Sequence, residues 1–264
     1  MIERVVIIGA GNLATQLTLA LTGKGVQVKQ VFSRTIDSAK ELAQKVNADF
    51  TNDLSCLITD ADLYVISIKD SAIQEVLQNL SLDKNSLIVH TAGSISMDVL
   101  SHSTNNYGVF YPLQTFSKSR EADFSIIPIC IEANNSSSLI KLQKLAERLS
   151  TSVQPVDSDQ RKTLHLAAVF VNNFVNHLYV IGSEILQDKK LDFNLLKPLI
   201  LETAHKIESL SPIEAQTGPA IRNDLLVTNV QLKQLQEFPE FQKIYSSLTE
   251  SIYHIHKKQP NELL

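Results

Sequence analysis

Apolar residues follow two different rhythms along this chain, and the change comes near residue 157. Before it, short and nearly unbroken apolar runs alternate with stretches whose apolar positions recur every three or four residues. The runs lie at residues 4–8, at a second stretch ending in Ser33, and at 48–51, 63–68, 87–91, 108–111, 126–131 and 153–156. Helical spacing fills the intervals, through Leu13, Leu17, Ala20 and Leu21, over 38–46, through Ile73, Val76, Leu77 and Leu80, and over 138–149. Strands apolar throughout, with helices between them, predict a parallel sheet covered on both faces. Past residue 156 the strand rhythm stops, and helical spacing continues over 158–188, 193–210 and 241–257. Asp157-Ser158-Asp159 suits a helix cap and an acidic first turn at that boundary. The pattern thus predicts an α/β fold with a doubly wound, Rossmann-type parallel sheet over 1–156, followed by an all-helical domain over 157–264.

The first run breaks into Gly9-Ala10-Gly11-Asn12-Leu13-Ala14. A strand, a glycine turn, a helix and a second strand form the unit that binds the pyrophosphate of a dinucleotide. Gly9 permits the tight turn, Gly11 lets the backbone approach phosphate, and Ala14 lets the helix lie close on the strand. Free N–H groups and a partial positive charge at the helix start, Asn12 and Leu13, then face the anion.

The end of the second strand chooses between NAD and NADP. An Asp or Glu there would accept hydrogen bonds from the ribose 2′-OH of NAD. This chain has Ser33-Arg34-Thr35 instead, and Asp37 reads as the cap of the next helix. Arg34 can grip a 2′-phosphate with paired donors while Ser33 and Thr35 add neutral ones, so NADP is the expected cofactor. Ligands in open sheets bind beyond the carboxyl ends of the strands. That rule adds Ser67, Ile68 and Lys69 along the adenosine and ribose, and His90, Thr91 and Gly93 nearer the nicotinamide. Ser67 and Thr91 could equally satisfy strand-end backbone groups, and His90 could bond a neighbouring loop.

Net charge is −4, with no basic cluster, which argues against nucleic acid or an anionic membrane as partner. Cys56 and Cys130 have no motif spacing and read as reduced core residues of a cytoplasmic protein. A strand begins within two residues of Met1, which leaves no room for a signal peptide, and no apolar stretch is expected to reach membrane-spanning length. His254 and His256, two apart on a helical pattern, face different directions, so no metal site is expected there.

Two groups in the helical half could carry chemistry. His165, Val169 and Asn173 are spaced by four, with Asn172 and Asn176 nearby, among Leu166, Ala167, Ala168, Phe170 and Phe174. This row is either an inter-helix polar network or the floor of a substrate pocket. In Gln216-Thr217-Gly218-Pro219-Ala220-Ile221-Arg222-Asn223-Asp224, Gly and Pro suit a loop opening a helix. Arg222, one turn into it, could pair with a substrate carboxylate or with Asp224.

Several segments together resemble a family of NADP oxidoreductases that join a Rossmann-like domain to a C-terminal helical domain of unknown function, of the DUF2520 type. They are residues 7–14, Ser33-Arg34, His90-Thr91-Ala92-Gly93-Ser94, Tyr111-Pro112-Leu113-Gln114-Thr115-Phe116, residues 165–174, and Thr217-Gly218-Pro219 with Arg222 and Asp224. The match covers nearly the whole chain. More distantly the chain looks like pyrroline-5-carboxylate reductases, β-hydroxyacid dehydrogenases and deazaflavin-dependent NADP reductases. The resemblance implies a helical domain like the C-terminal one of 6-phosphogluconate dehydrogenases, and a homodimer built largely through it. β-Hydroxyacid dehydrogenases carry a lysine one turn before the asparagine that Asn173 matches, and here that position is Val169. Valine cannot protonate a developing oxyanion. Either His165 or His90 takes the role, or the substrate needs no acid.

The expected function is NADPH-dependent hydride transfer to or from a small, carboxylate-bearing imine or carbonyl substrate. His165 is the expected proton donor, Asn173 orients the substrate and Arg222 holds the carboxylate. The alternative is a non-catalytic NADP-binding sensor.

Overall fold

The computed structural model describes residues 1–258. Two compact units divide the chain, Met1–Asn173 and Phe174–Leu264.

The first unit is built on an eight-stranded sheet of order β3-β2-β1-β4-β5-β6-β7-β8. The strands are β1 (Arg4–Ile8), β2 (Gln27–Phe32), β3 (Asp49–Thr51), β4 (Leu63–Ile66), β5 (Leu87–His90), β6 (Asn106–Pro112), β7 (Ile129–Ala133) and β8 (Val153–Pro155). Helices α1 (Asn12–Gly23), α2 (Ile36–Val46), α3 (Ile73–Gln78) and α4 (Ser136–Leu149) connect them. The order reverses between β1 and β4, as in a doubly wound fold.

Strand alternation sends successive side chains of β1 to opposite faces. Val5 and Ile7 join Ala14, Leu17 and Leu21 of α1 and Leu142, Leu145 and Leu149 of α4 on one face. Val6 and Ile8 join Tyr64, Ile66, Ile73 and Val76 on the other. Both faces are therefore dry, which is why β1 carries no polar residue after Arg4. Each such buried aliphatic contributes about 1.5–3 kcal/mol.

One pair departs from the expected parallel sheet: β7 runs antiparallel to β6. A parallel return needs a crossover of a dozen or more residues, usually helical. The segment between these strands forms only a single 3-10 turn at Phe124–Ile126. Thr35 holds the N-cap position of α2, which places Asp37 in the first turn rather than at the cap.

Helix α5 (Ser158–Ala168) starts on a capping box formed by Asp157 and Gln160. A π-turn at Val169–Phe174 joins it to α6 (Val175–Asp188). The division at Asn173 leaves α5 in the first unit, because Arg161 and His165 are bonded to the sheet. The continuous helix Ser158–Asp188 is long enough, and apolar enough over an 18-residue window of mean hydropathy 1.3, to cross a membrane by length and composition alone. That corrects the expectation that no stretch reaches such length; the amides at 172, 173 and 176 interrupt the apolar run without offsetting its neighbours.

The second unit continues through α6, α7 (Lys197–Lys206), α8 (Pro212–Ala215), α9 (Leu225–Gln234) and α10 (Pro239–Lys257). Helix α9 begins later than the helix that the Gly218-Pro219 loop was expected to open, at Leu225 rather than before Arg222. Apolar side chains surround it rather than forming one stripe: Leu225, Leu226, Val227 and Val230 are all exposed.

Candidate functional site

Four strands of the first unit end level. Ile8 pairs with Phe32 and with Ile66, and Ile66 pairs with His90. The residues that follow them, Gly9, Ser33, Ser67 and Thr91, therefore form a row along the carboxyl edge of the sheet. Gly9 has φ +133°, and its N–H donates to the Phe32 carbonyl at 2.8 Å. A Cβ there would lie 2.0 Å from the Ser67 carbonyl oxygen, so only glycine closes this turn. Gly11 is different. A Cβ there meets no protein atom within 4 Å, so the fold itself does not demand glycine. Close approach of a ligand would demand it.

Gly11 is also the N-cap of α1, with no capping side chain and no acid in the first turn. The first N–H groups of a helix have no acceptor within it, so Asn12 and Leu13 present theirs to whatever lies ahead.

A cleft of about 270 Å³ opens over this edge, lined by Gly9, Gly11, Ser33, Arg34, Thr35, Ser67, Ile68 and Lys69 among others. It thus brings together eight of the residues that the sequence assigns to the cofactor. Its lining contains two cations and no carboxylate. Neither Arg34 nor Lys69 has an ion-pair partner among the described residues, and Arg34 is exposed. Thr35 and Ser38 hydroxyls share a 2.8 Å hydrogen bond at the same end. Unpaired cations and hydroxyls, with an acid absent, fit a phosphorylated ribose better than a bare one.

His90, Thr91 and Gly93 lie outside that cleft lining. The His90 ring is fully buried. Its Nδ1 accepts from the Ala92 N–H at 3.1 Å, and its Nε2 lies 3.3 Å from the Ser96 carbonyl. Burial, and then the nearby Arg161 charge, push it down to about 4. A neutral ring with both nitrogens engaged shapes the loop after β5 and has no donor left for a ligand. Thr91 donates to the Ser67 hydroxyl at 3.2 Å, which ties the ends of β4 and β5 together. Ser94 bonds the carboxylate of Asp70 across the same two loops.

Gly93 serves His165. A Cβ on residue 93 would lie 2.5 Å from Nδ1 of His165 and 2.6 Å from its Cγ, so the backbone after β5 packs directly against this imidazole. The other contact is Tyr111, on β6, whose hydroxyl lies 2.9 Å from the same Nδ1. Tyr111 is buried and pushed up to about 12 by that burial. The half-buried His165 ring is thus held at Nδ1 and by the Gly93 backbone, and Nε2 has no partner among the described residues.

Behind this pair Arg161 is completely buried and ion-paired with Glu132 of β7. It also donates to the Ile95 carbonyl, and to the Ser158 hydroxyl at 3.2 Å. Glu132 additionally accepts from the Ser158 N–H at 2.9 Å. One ion pair therefore clamps the loop after β5, strand β7 and the start of α5.

The π-turn changes the reading of the row along the helix. It adds a residue to one turn, so positions spaced by four before Val169 do not stay on one face after it. Asn173 lies in that turn and is exposed. In the second unit Arg222 is exposed, in a turn before α9 rather than inside a helix. Asp224 does not pair with it; its carboxylate accepts from the Val227 N–H at 3.2 Å as the N-cap of α9. Cys56 is exposed beside Asp53 and Ser55, which corrects its expected place in the core, while Cys130 is buried.

Tyr111, Glu132 and Arg161 were not singled out as site residues from the sequence. Tyr111 stood out only as part of the segment Tyr111–Phe116 that carries the family resemblance, and Glu132 only as a charge near the end of an otherwise apolar strand. Arg161 looks like any arginine on a polar first turn.

A switch-point cleft lined by glycine backbone and unpaired cations marks a dinucleotide-binding protein. Residues 4–93 match the family described as NADP oxidoreductase, coenzyme F420-dependent, and residues 127–252 match a domain of unknown function, DUF2520. The crystal structure of a putative NADP oxidoreductase from Bacteroides fragilis is 48% identical, covering 96% of this chain and 98% of that one, with a TM-score of 0.89. The chain belongs to this family of NADP oxidoreductases, and NADP is its cofactor. A pyrroline-5-carboxylate reductase from Pseudomonas aeruginosa is 35% identical over 98 residues, a match that spans 35% of each chain. A reductive aminase from Aspergillus terreus, in complex with NADPH and ethyl-5-oxohexanoate, shares the fold at 14% identity and a TM-score of 0.70, covering 98% and 93% of the two chains.

Proposed function

We propose that this oxidoreductase reduces a small imine or carbonyl compound that carries a carboxylate. Bound NADPH would supply the hydride. The N–H groups at the start of α1 hold its pyrophosphate, and Arg34 and Lys69, with Ser33 and Thr35, take the 2′-phosphate. His165 supplies the proton, Asn173 orients the substrate, and Arg222 takes the carboxylate. The observation that carries this reading is the His165 ring, seated on Gly93 at the carboxyl edge of the sheet with Nε2 unpartnered. His90 cannot compete for the role, because both its nitrogens are engaged.

The test is loss of NADPH absorbance with a panel of cyclic imines and 2-keto acids. His165→Gln is expected to lower kcat by about 100-fold or more, the usual range for a positioned general acid, with NADPH affinity within about threefold of wild type. Full turnover by the variant removes His165 from the reaction. No turnover of any compound by wild type overturns the reading.

We also propose that a second copy of the chain covers the helical unit. Leu195, Leu199 and Leu226 are 67%, 63% and 83% exposed there. Apolar side chains left open in such number mark an interaction surface. Light scattering on the eluting protein is expected to give twice the chain mass, and Leu199→Asp with Leu226→Asp to give the single mass. A monomeric wild type contradicts the proposal.

A further inference from the structure

We propose that Tyr111 is a positioning residue for His165, holding Nδ1 so that Nε2 is the one nitrogen that exchanges a proton with substrate. The inference rests on the reductase reading above and adds a residue to it. Its ground is geometric. The imidazole has two anchors, the Tyr111 hydroxyl at 2.9 Å from Nδ1 and the Gly93 backbone against the ring, and both lie on the Nδ1 side. The two rings meet edge to face, at 73° and 6.0 Å between centroids.

A phenol suits this task better than a carboxylate, because a hydroxyl both donates and accepts. When the ring is neutral, the phenol donates to Nδ1, and the proton stays on Nε2. When the ring is charged, Nδ1–H donates to the phenol oxygen, and Nε2–H is still the outward donor. In reduction, the Nε2–H bond of the charged ring breaks and its proton passes to the nitrogen or oxygen of the substrate. The hydride comes from NADPH, and the ring regains its proton from water.

Tyr111 itself remains a phenol throughout. Burial accounts for that, and besides His165 the charged or titratable groups that act on it are Cys130 on β7, Arg161 on α5 and Asp70 beyond β4. Raised to about 12, it does not ionise where an imidazole titrates.

The experiment compares wild type with Tyr111→Phe, which keeps the ring and removes only the hydroxyl. The full chain, labelled with nitrogen-15 in its histidine rings, is examined with NADP⁺ bound, and His165→Gln identifies the His165 signals. In wild type the neutral ring is expected in one tautomer, Nε2 protonated and Nδ1 accepting. In Tyr111→Phe the two nitrogens should move toward the averaged values of freely exchanging tautomers. On the imine or carbonyl compound that turns over, kcat should fall about tenfold, with KM and NADPH affinity within about twofold, since a misplaced acid costs rate rather than binding. An unchanged ring spectrum, or a changed one with unchanged kcat, overturns the part given to Tyr111 and leaves the reductase standing. A changed spectrum in a protein whose wild type reduces nothing overturns the reductase reading, and with it the use of this ring in catalysis.

Discussion

Replacing Arg34 by aspartate is expected to weaken NADPH binding by about a hundredfold or more while moving NADH by no more than about threefold. Arg34 is exposed, lines the cleft, and has no ion pair to give up. Its guanidinium is therefore free to meet a 2′-phosphate with paired donors. The substitution removes those bonds and puts a like charge beside the phosphate. Two lost charge-assisted bonds, at about 1.5–3 kcal/mol each, account for a change of this size even after screening by salt. NADH lacks the phosphate, so it loses little, and the new carboxylate can accept from its 2′-OH. Lys69→Ala should have a smaller effect, because an ammonium is a point charge without the paired geometry. Titration followed by nicotinamide fluorescence measures both, in a chain that has no tryptophan. Unchanged preference in Arg34→Asp would mean that another group reads the phosphate.

The cleft at the strand ends was legible because its physics is local. Gly9, Gly11 and the start of α1 lie within a few residues, and strand ends bring Ser33 and Ser67 beside them by register alone. The class of fold was legible for the same reason: apolar runs and helical spacing are properties of single elements. The surroundings of His165 were only partly legible. His165 stood out as a histidine on an apolar helix, yet its anchors Tyr111 and Gly93 come from strand β6 and the loop after β5, 54 and 72 residues away in sequence. Gly93 illustrates the limit: a glycine at a strand end looks like a place for a cofactor, and here a side chain of the same unit occupies the space. The antiparallel turn of β7 and the π-turn were likewise invisible. The first depends on the missing crossover helix, and the second on one extra residue in one turn.

Glu132→Gln is expected to cost about 3–5 kcal/mol of stability, the second large effect. Arg161 is fully buried and Glu132 only 11% exposed, so solvent screens this pair little. Arginine does not shed its charge, and the variant leaves it inside without a countercharge, with neutral acceptors alone: the new amide oxygen, the Ile95 carbonyl and the Ser158 hydroxyl. A solvent-exposed pair such as Lys45–Glu41 contributes far less, because water screens it and both side chains lose freedom to hold it. Urea unfolding of the two proteins, followed by circular dichroism, measures the difference as a shift in midpoint. The double variant Glu132→Leu with Arg161→Met should recover part of the loss, because an apolar pair strands no charge. Recovery should be incomplete, since Ser158 loses the acceptor of its N–H and the Ile95 carbonyl loses its donor. The two effects also separate stability from chemistry. Arg161 lies one helical turn before His165 and holds the loop that continues from Gly93. Even the recovered double variant should therefore turn over more slowly than wild type, because its fold returns while the seat of the imidazole does not. A double variant with full stability and full kcat would show that the clamp serves packing alone.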